Sequence, residues 1–270
     1  MQSLWMIAAS LCFACMGVCV KLASATFSAP EIVFYRSAIS LILMFALVRA
    51  RGVPIYTPHW RFQLFRGASG FVSLLLYFYA ISLLPLATAV TLSYTSPLFL
   101  ALYLNWFGGM PLRRGMLGAM GLGFVGVALL LQPTFHAEQL LGGVIGLGAG
   151  ITAGLAYYNV RELGARGESE SRTVFYFSLL STVASALWMV LFEFHPVSFD
   201  AGLLLLGVGA FATLAQLAMT RAYKRGKAFV SASLAYSTVI FASLFGMWLW
   251  DETLSGSAWV AVALIIASGI

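Results

Sequence analysis

The chain alternates between long runs of apolar residues and short segments rich in charged residues, proline or glycine. A helix that crosses the hydrocarbon core of a bilayer, about 30 Å thick, needs roughly 20 mostly apolar residues. Each run therefore predicts one membrane-spanning helix. The ten predicted spans are 3–22, 32–48, 67–84, 87–107, 115–131, 140–160, 173–192, 201–220, 228–250 and 257–270, the last being short.

The composition supports a membrane protein, since 61% of the residues are hydrophobic and only 9% are charged. The formal net charge of +6 does not indicate a nucleic-acid partner, because the basic residues flank the apolar runs and orient helices there. Cys12, Cys15 and Cys19 lie on one face of the first predicted helix, which indicates packing rather than a metal site or disulfides. No cofactor and no metal are predicted.

The distribution of basic residues predicts the orientation in the membrane. Thirteen of the 15 Lys and Arg residues fall in the loops after predicted helices 2, 4, 6 and 8, whereas the opposite loops carry Glu31, Glu138, Glu193, Asp200, Asp251 and Glu252. Basic loops stay in the cytoplasm. Both termini are therefore expected to be cytoplasmic in the inner membrane of a bacterial-type cell, and the first run is interpreted as helix 1 rather than as a signal peptide.

The two halves of the chain resemble each other at an offset of about 141 residues: residues 34–40 share four identities in seven with residues 175–181. The sequence predicts two repeats, 1–134 with helices 1–5 and 135–270 with helices 6–10. Because five is odd, the second repeat enters from the opposite face, giving an all-α integral membrane protein with inverted topology. Chance similarity between apolar helices is the competing explanation.

Polar residues inside the spans are candidates for substrate binding, because hydrocarbon tolerates them only inside the bundle or along a cavity. Predicted helix 4 carries Thr88, Thr91, Tyr94 and Thr95 on one face, and predicted helix 9 repeats this pattern with Ser233, Tyr236 and Ser237. Matching faces at matching repeat positions predict a shared central cavity. Hydroxyls that bond to carbonyls of their own helix explain the pattern equally well.

Other spans carry further candidates. Tyr77 and Tyr79 in helix 3 and Tyr157 in helix 6 are interpreted as substrate-binding aromatic residues or as interfacial anchors. Asn159 and Gln216 are substrate-binding candidates or interhelical hydrogen-bonding groups.

The positions of two basic residues and one proline suggest specific functions. Lys21 and Arg36 lie near the predicted outer mouth, where they attract a carboxylate or extend their charges toward the interface. Pro97 interrupts helix 4 and predicts a hinge.

Several motifs are missing from the sequence. No Asp or Glu lies in the interior of a predicted span, and all three His residues lie in loops, so no buried proton relay is predicted. The chain has no GxxxxGK, HExxH or GxSxG motif. These observations favour a secondary transporter over an enzyme. An integral-membrane enzyme acting on lipid-linked substrates and a channel or scaffold remain as alternatives.

The segment Trp250-Asp251-Glu252-Thr253-Leu254-Ser255 before the last helix resembles the EamA type of the drug/metabolite transporter superfamily. The first half departs from this pattern, with Met110-Pro111-Leu112 in place of the acidic residue. Length and the aromatic helix 3 are similar to YddG-type amino-acid exporters. This resemblance implies alternating-access export of small metabolites, chiefly amino acids including aromatic ones, from a cavity lined by helices 1, 3, 4, 6, 8 and 9. The expected partners are a small-molecule substrate and the lipid bilayer, and the oligomeric state is not predicted.

Overall fold

A computed structural model describes residues 2–84, 86–111, 114–131, 140–189, 195–250 and 256–268, and the regular secondary structure of these residues is entirely helical. A short 3₁₀ helix at Gln2–Leu4 precedes twelve α-helices. They are α1 (Trp5–Ala23), α2 (Ala29–Ala50), α3 (Trp60–Leu83), α4 (Leu86–Ser93), α5 (Ser96–Trp106), α6 (Arg114–Leu131), α7 (Leu140–Ala165), α8 (Glu170–Met189), α9 (Phe199–Arg225), α10 (Ala228–Leu234), α11 (Ser237–Trp250) and α12 (Gly256–Ser268).

The described residues of each predicted apolar run are mainly helical, and five helical segments of the described chain are by themselves long and apolar enough to cross a membrane. These are Gln2–Ala23, Pro30–Ala50, Leu140–Ala165, Phe199–Arg225 and Ala228–Leu249. Several helices extend past the predicted ends into charged sequence. The sequence prediction stopped at the first charged residue, whereas helices at a membrane surface continue into water.

The two predicted helices 4 and 9 are each broken near their middle, which divides them into α4 and α5 and into α10 and α11. At the first break, the amides of Thr95 and Leu98 donate to carbonyls three residues earlier, those of Leu92 and Thr95. At the second, the amides of Tyr236 and Val239 donate to Ser233 and Tyr236. These bonds match at an offset of 141 residues. The same local tightening, of the 3₁₀ type, therefore occurs at corresponding places in the two halves.

Pro97 lies in the first turn of α5, and the break precedes it at Tyr94 and Thr95. The ring nitrogen of proline cannot donate to the carbonyl four residues earlier, which favours a helix start here. The second break contains no proline. Proline is therefore not the common cause of the two breaks, and a hinge function for Pro97 stays a prediction.

Helices pack in pairs that join one half of the chain to the other. The most extensive contacts are α3 with α7, α1 with α9, α2 with α8 and α6 with α12. Exchanging each helix for its counterpart in the other half reproduces the same set of pairs. The packing therefore has the pattern expected for two halves related by a two-fold axis.

Small residues of α7 allow the first break to approach closely. A Cβ added at Gly146 would lie 2.8 Å from the Leu92 side chain, and one at Gly154 would lie 2.8 Å from Phe99. At Gly150 it would collide with the hydroxyl of Thr95. The glycine stripe is thus a packing surface that holds α4 and α5 against α7.

Candidate functional site

Tyr94 and Tyr236 stand at the two helix breaks and meet each other. Their ring centroids are 6.1 Å apart with the planes tilted by 38°. Tyr236 is 0% exposed and packs with Val127 and Ile265. Its hydroxyl is buried without a hydrogen-bond partner in the described part of the protein. Tyr94 of predicted helix 4 and Tyr236 of predicted helix 9 therefore contact each other across the two halves.

A second pair of tyrosines extends this cluster. Tyr157 of α7 stacks on Tyr223 of α9, with centroids 5.0 Å apart and planes 19° from parallel. Tyr157 and Tyr77 of α3 both lie within electrostatic range of the Tyr94 hydroxyl. We call these residues the tyrosine cluster: Tyr77, Tyr94, Tyr157, Tyr223 and Tyr236. It brings together aromatic side chains from both halves.

Arg66 of α3 lies beside the tyrosine cluster. One guanidinium nitrogen, Nη2, donates to Oε1 of Gln216 on α9 at 3.2 Å. The guanidinium carbon lies 4.3 Å from the ring centroid of Phe177 on α8, a cation–π geometry. Gln216, which the sequence analysis named as a substrate-binding candidate, is thus hydrogen-bonded to a buried charged side chain.

The sequence analysis missed Arg66 because it placed this residue in the loop before helix 3. In the structure α3 begins at Trp60, so Arg66 lies well inside the helix. The apolar residues Trp60, Phe62, Leu64 and Phe65, which flank Arg61 and precede Arg66, carried a signal for the longer helix.

Other predicted residues lie elsewhere or bond locally. Tyr79 is 56% exposed and lines an apolar groove on the outer surface of the bundle with Phe78 and Trp188. Asn159 is buried and donates from Nδ2 to the Leu155 carbonyl of its own helix. Ser237 donates likewise to the Leu234 carbonyl.

Thr91 and Ser233 are both buried next to the two breaks. Thr95 donates from its hydroxyl to the Leu92 carbonyl of its own helix. The side chain of Thr88 lies outside the part of the chain that the structure describes.

The two basic residues assigned to the outer mouth differ from each other. Lys21 is exposed in the last turn of α1. Arg36 lies inside α2 and is only 9% exposed, so it does not extend to the interface. Of this pair, only Arg36 belongs to the interior of the bundle.

At the predicted outer surface, Glu31 links the two halves. Its carboxylate accepts the backbone N–H of His195 at 2.7 Å and that of Ser28 at 2.7 Å, the latter as part of a capping box for α2. Glu31 is 0% exposed. The sequence analysis placed it in a loop facing water, and the contact with His195 explains why it is buried instead. Glu138, Glu193, Asp251 and Glu252 lie outside the described residues.

At the predicted cytoplasmic surface, Glu168 forms a larger network. Its carboxylate accepts hydrogen bonds from Thr57, from Nε2 of Gln63 at 3.2 Å and from Nη1 of Arg172 at 2.9 Å. Nζ of Lys224 donates to the Glu168 carbonyl at 3.1 Å. The network joins α3 of the first half to α8 and α9 of the second.

Comparison with known proteins gives a consistent result over the whole chain. The model of the EamA-like transporter family matches residues 1–132 and 140–270. The chain is 32% identical to the pseudopaline exporter CntI of Pseudomonas aeruginosa over 265 residues, covering 96% of this chain and 93% of that protein. It is 24% identical to a riboflavin transporter of Brucella anthropi, covering 98% and 95% of the two chains.

The fold also matches a solved crystal structure. The two superpose with a TM-score of 0.89 at 21% sequence identity, covering 99% of this chain and 96% of the other. At this identity the match supports the fold alone.

The packing of the Tyr236 ring against α6 can be tested by substituting Gly123, a glycine of that helix. A Cβ at Gly123 would collide with the Tyr236 ring and lie 2.7 Å from Oγ of Ser268, whereas one at Gly121 meets no atom within 4 Å. We expect Gly123→Ala to lower the free energy of unfolding by about 1–3 kcal/mol through overpacking. Gly121→Ala, the matched control on the same helix, should be neutral or stabilising. Thermal unfolding in detergent measures both, and equal midpoints would contradict this packing.

Proposed function

Since the chain belongs to the EamA-like transporter family, we propose that it exports small metabolites, chiefly amino acids including aromatic ones, by alternating access. The family consists of membrane-embedded transporters, so an enzymatic function is not proposed. A channel or scaffold is the alternative that the test below addresses.

The proposal rests on one observation, the meeting of two broken helices at Tyr94 and Tyr236. At 1.5 Å per residue, α4 and α5 extend for about 12 and 16 Å, so the first break lies near the middle of a bilayer about 30 Å thick. Discontinuous helices at the midplane, contributed by both repeats, are where secondary transporters bind substrates. We therefore propose ten spans in two inverted repeats, 1–134 and 135–270, with the tyrosine cluster at their interface.

Alternating access requires contacts between the halves that form in one state and break in the other. The Glu31–His195 contact and the Glu168 network are the candidates for such contacts, because each joins residues of both halves near opposite ends of the helices. We propose that rocking of the halves releases one of these contacts at a time. A substrate in the tyrosine cluster then gains access to one side of the membrane.

Two features support metabolite export over other transport. The pseudopaline exporter and the riboflavin transporter carry metabolites, and the first is named for export. The tyrosine cluster offers stacking surfaces suited to aromatic groups. Amino acids, including aromatic ones, are the substrates that we propose on this basis.

Solute counterflow in liposomes tests the proposal. Vesicles containing the purified protein are loaded with unlabelled phenylalanine, tyrosine or another amino acid, and uptake of the labelled compound is measured. A carrier exchanges the two and accumulates label transiently. Absence of exchange for every amino acid would contradict the proposed substrates, and labelled uptake without transient accumulation would indicate a channel.

Tyr236→Phe tests whether the tyrosine cluster binds substrate. The ring is completely buried, so alanine would also remove packing, whereas phenylalanine removes only a hydroxyl without a partner among the described residues. We expect counterflow to fall by about tenfold, since about 1.4 kcal/mol of substrate binding is lost, with stability unchanged. The control is Tyr176→Phe, which removes a hydroxyl that donates at 3.0 Å to the Ile55 carbonyl in the native protein. This variant should lose stability by about 1 kcal/mol and keep its transport rate. If Tyr236→Phe keeps its transport rate and loses stability instead, Tyr236 does not bind substrate.

Cysteine labelling tests the proposed orientation, in which both termini and the loop between α2 and α3 are cytoplasmic. Thr57 is buried, so exposed Tyr56 is the suitable position, in a background without Cys12, Cys15 and Cys19. A membrane-impermeant maleimide should label Tyr56→Cys only after permeabilisation. Exposed Phe199→Cys, at the start of α9, should be labelled in intact cells. Labelling of Tyr56→Cys from outside intact cells would contradict the proposed orientation and indicate the opposite one.

A further inference from the structure

Two arginines lie in the interior of the helix bundle. Arg36 is 9% exposed and Arg66 is 3% exposed. Counted along the helices, Arg36 lies about 10 Å from the first residue of α2, and Arg66 lies about 9 Å from that of α3. In the proposed topology these two helices begin at opposite membrane surfaces. Both side chains are therefore buried within the helix bundle rather than at the helix ends, and buried charged groups in such helices mark substrate pathways.

Neither arginine forms an ion pair with an acidic residue in the described parts of the chain. Nε of Arg36 and both Nε and Nη1 of Arg66 are buried without a hydrogen-bond partner there. The buried carboxylates of this region are already bonded, Glu31 to His195 and Glu168 to Arg172. The interior of the bundle thus carries positive charge that no described side chain neutralises.

The surroundings hold the Arg66 guanidinium in place and leave Nε and Nη1 without a hydrogen-bond partner among the described residues. Gln216 accepts from Nη2, and the Phe177 ring supports one face. Gly70 provides the space, since a Cβ there would collide with Nη1 of Arg66. Three helices contribute to this arrangement: α3, α8 and α9.

The two positive charges are close enough to interact. Arg36 and the hydroxyl of Tyr157 both lie within electrostatic range of the Arg66 guanidinium. Like charges repel strongly in a medium of low dielectric constant, and an unpaired buried charge is costly. An anionic ligand between the two guanidinium groups would reverse both effects.

We propose that Arg36 and Arg66 bind a carboxylate group of the transported metabolite, with Gln216 positioning Arg66. This inference rests on the proposed function and narrows its substrate class to compounds that carry at least one carboxylate. A guanidinium group binds a carboxylate through two parallel N–H···O bonds, and the unpaired nitrogens of Arg66 supply such donors. Because two guanidinium groups are present, dicarboxylates should bind more tightly than monocarboxylates. The tyrosine cluster, whose Tyr157 lies within electrostatic range of Arg66, binds the rest of the molecule.

The test measures ligand-dependent thermal stability of the purified protein in lipid nanodiscs. Sodium acetate, succinate, citrate and phosphate are compared at constant ionic strength and pH. Ligands that bind only the folded state raise the unfolding midpoint in proportion to their affinity. We expect succinate to stabilise the wild type at lower concentration than acetate does.

Arg36→Gln and Arg66→Gln should each raise the succinate concentration required for half of the shift by about tenfold or more, because a charge-assisted pair is lost. Arg51→Gln removes an exposed charge at the end of α2 and should leave that concentration unchanged. Without ligand, the Arg36 and Arg66 variants should be as stable as the wild type or more stable, since they remove an unpaired buried charge. A structural function predicts the opposite, a large loss of stability.

The outcomes separate this inference from the proposed function. Stabilisation by phosphate alone, or by carboxylates equally in the wild type and both arginine variants, would overturn the carboxylate assignment. So would unimpaired amino-acid counterflow by both variants, which would leave the proposed function intact. Arginine-dependent stabilisation by succinate, without counterflow of any amino acid, would instead support the anion site and refute the amino-acid substrates.

Discussion

The inability of hydrocarbon to form hydrogen bonds governs this structure. Every polar group inside the bundle needs a protein partner, and most described groups find one in their own helix. Asn159, Thr152 and Ser185 all donate to carbonyls four residues earlier. Such local bonds cost little and carry no information about a ligand. The groups left without a described partner, including nitrogens of Arg36 and Arg66 and the hydroxyls of Tyr223 and Tyr236, are for this reason the informative ones.

The same constraint explains why breaks in two helices are tolerated. A broken helix leaves backbone groups without their usual partners, and the tightened bonds at Thr95 and Tyr236 satisfy part of them locally. Irregular backbone at membrane depth persists only inside protein or beside a cavity. Both breaks face the interior, where Tyr94 and Tyr236 meet. The contacts of Glu31 and Glu168 then close the bundle toward its two ends.

Much of the helical architecture is predictable from the sequence, because apolar runs of membrane length have few alternative structures. Each of the ten predicted runs contains an α-helix among its described residues. The sequence prediction did not include the break at Ala235 and Tyr236, which has no proline or glycine to mark it. It also began helix 3 too late, at residue 67 instead of Trp60, because it interpreted the charged residue Arg66 as part of a loop.

Candidate site residues were harder to predict, since the function of a polar side chain depends on its partner. Asn159 and Gln216 are both amides inside spans, and nothing in the sequence separates them. In the structure, Asn159 bonds to its own helix and Gln216 binds Arg66, 150 positions away. Tyr77 and Tyr79 are two residues apart, so they point to different faces of α3. Tyr79 is exposed on the surface of the bundle, whereas Tyr77 belongs to the tyrosine cluster.

The central claim is that the buried arginines are neutralised by the carboxylate of a ligand. Solid-state NMR can measure this contact directly, through the dipolar coupling between the ¹⁵N-labelled guanidinium of Arg66 and a ¹³C-labelled carboxyl carbon of succinate. A bidentate pair places these nuclei about 3.5 Å apart. The account predicts a coupling of that size in the wild type and its loss in Arg66→Gln. An absent coupling in succinate-saturated wild-type protein would contradict it.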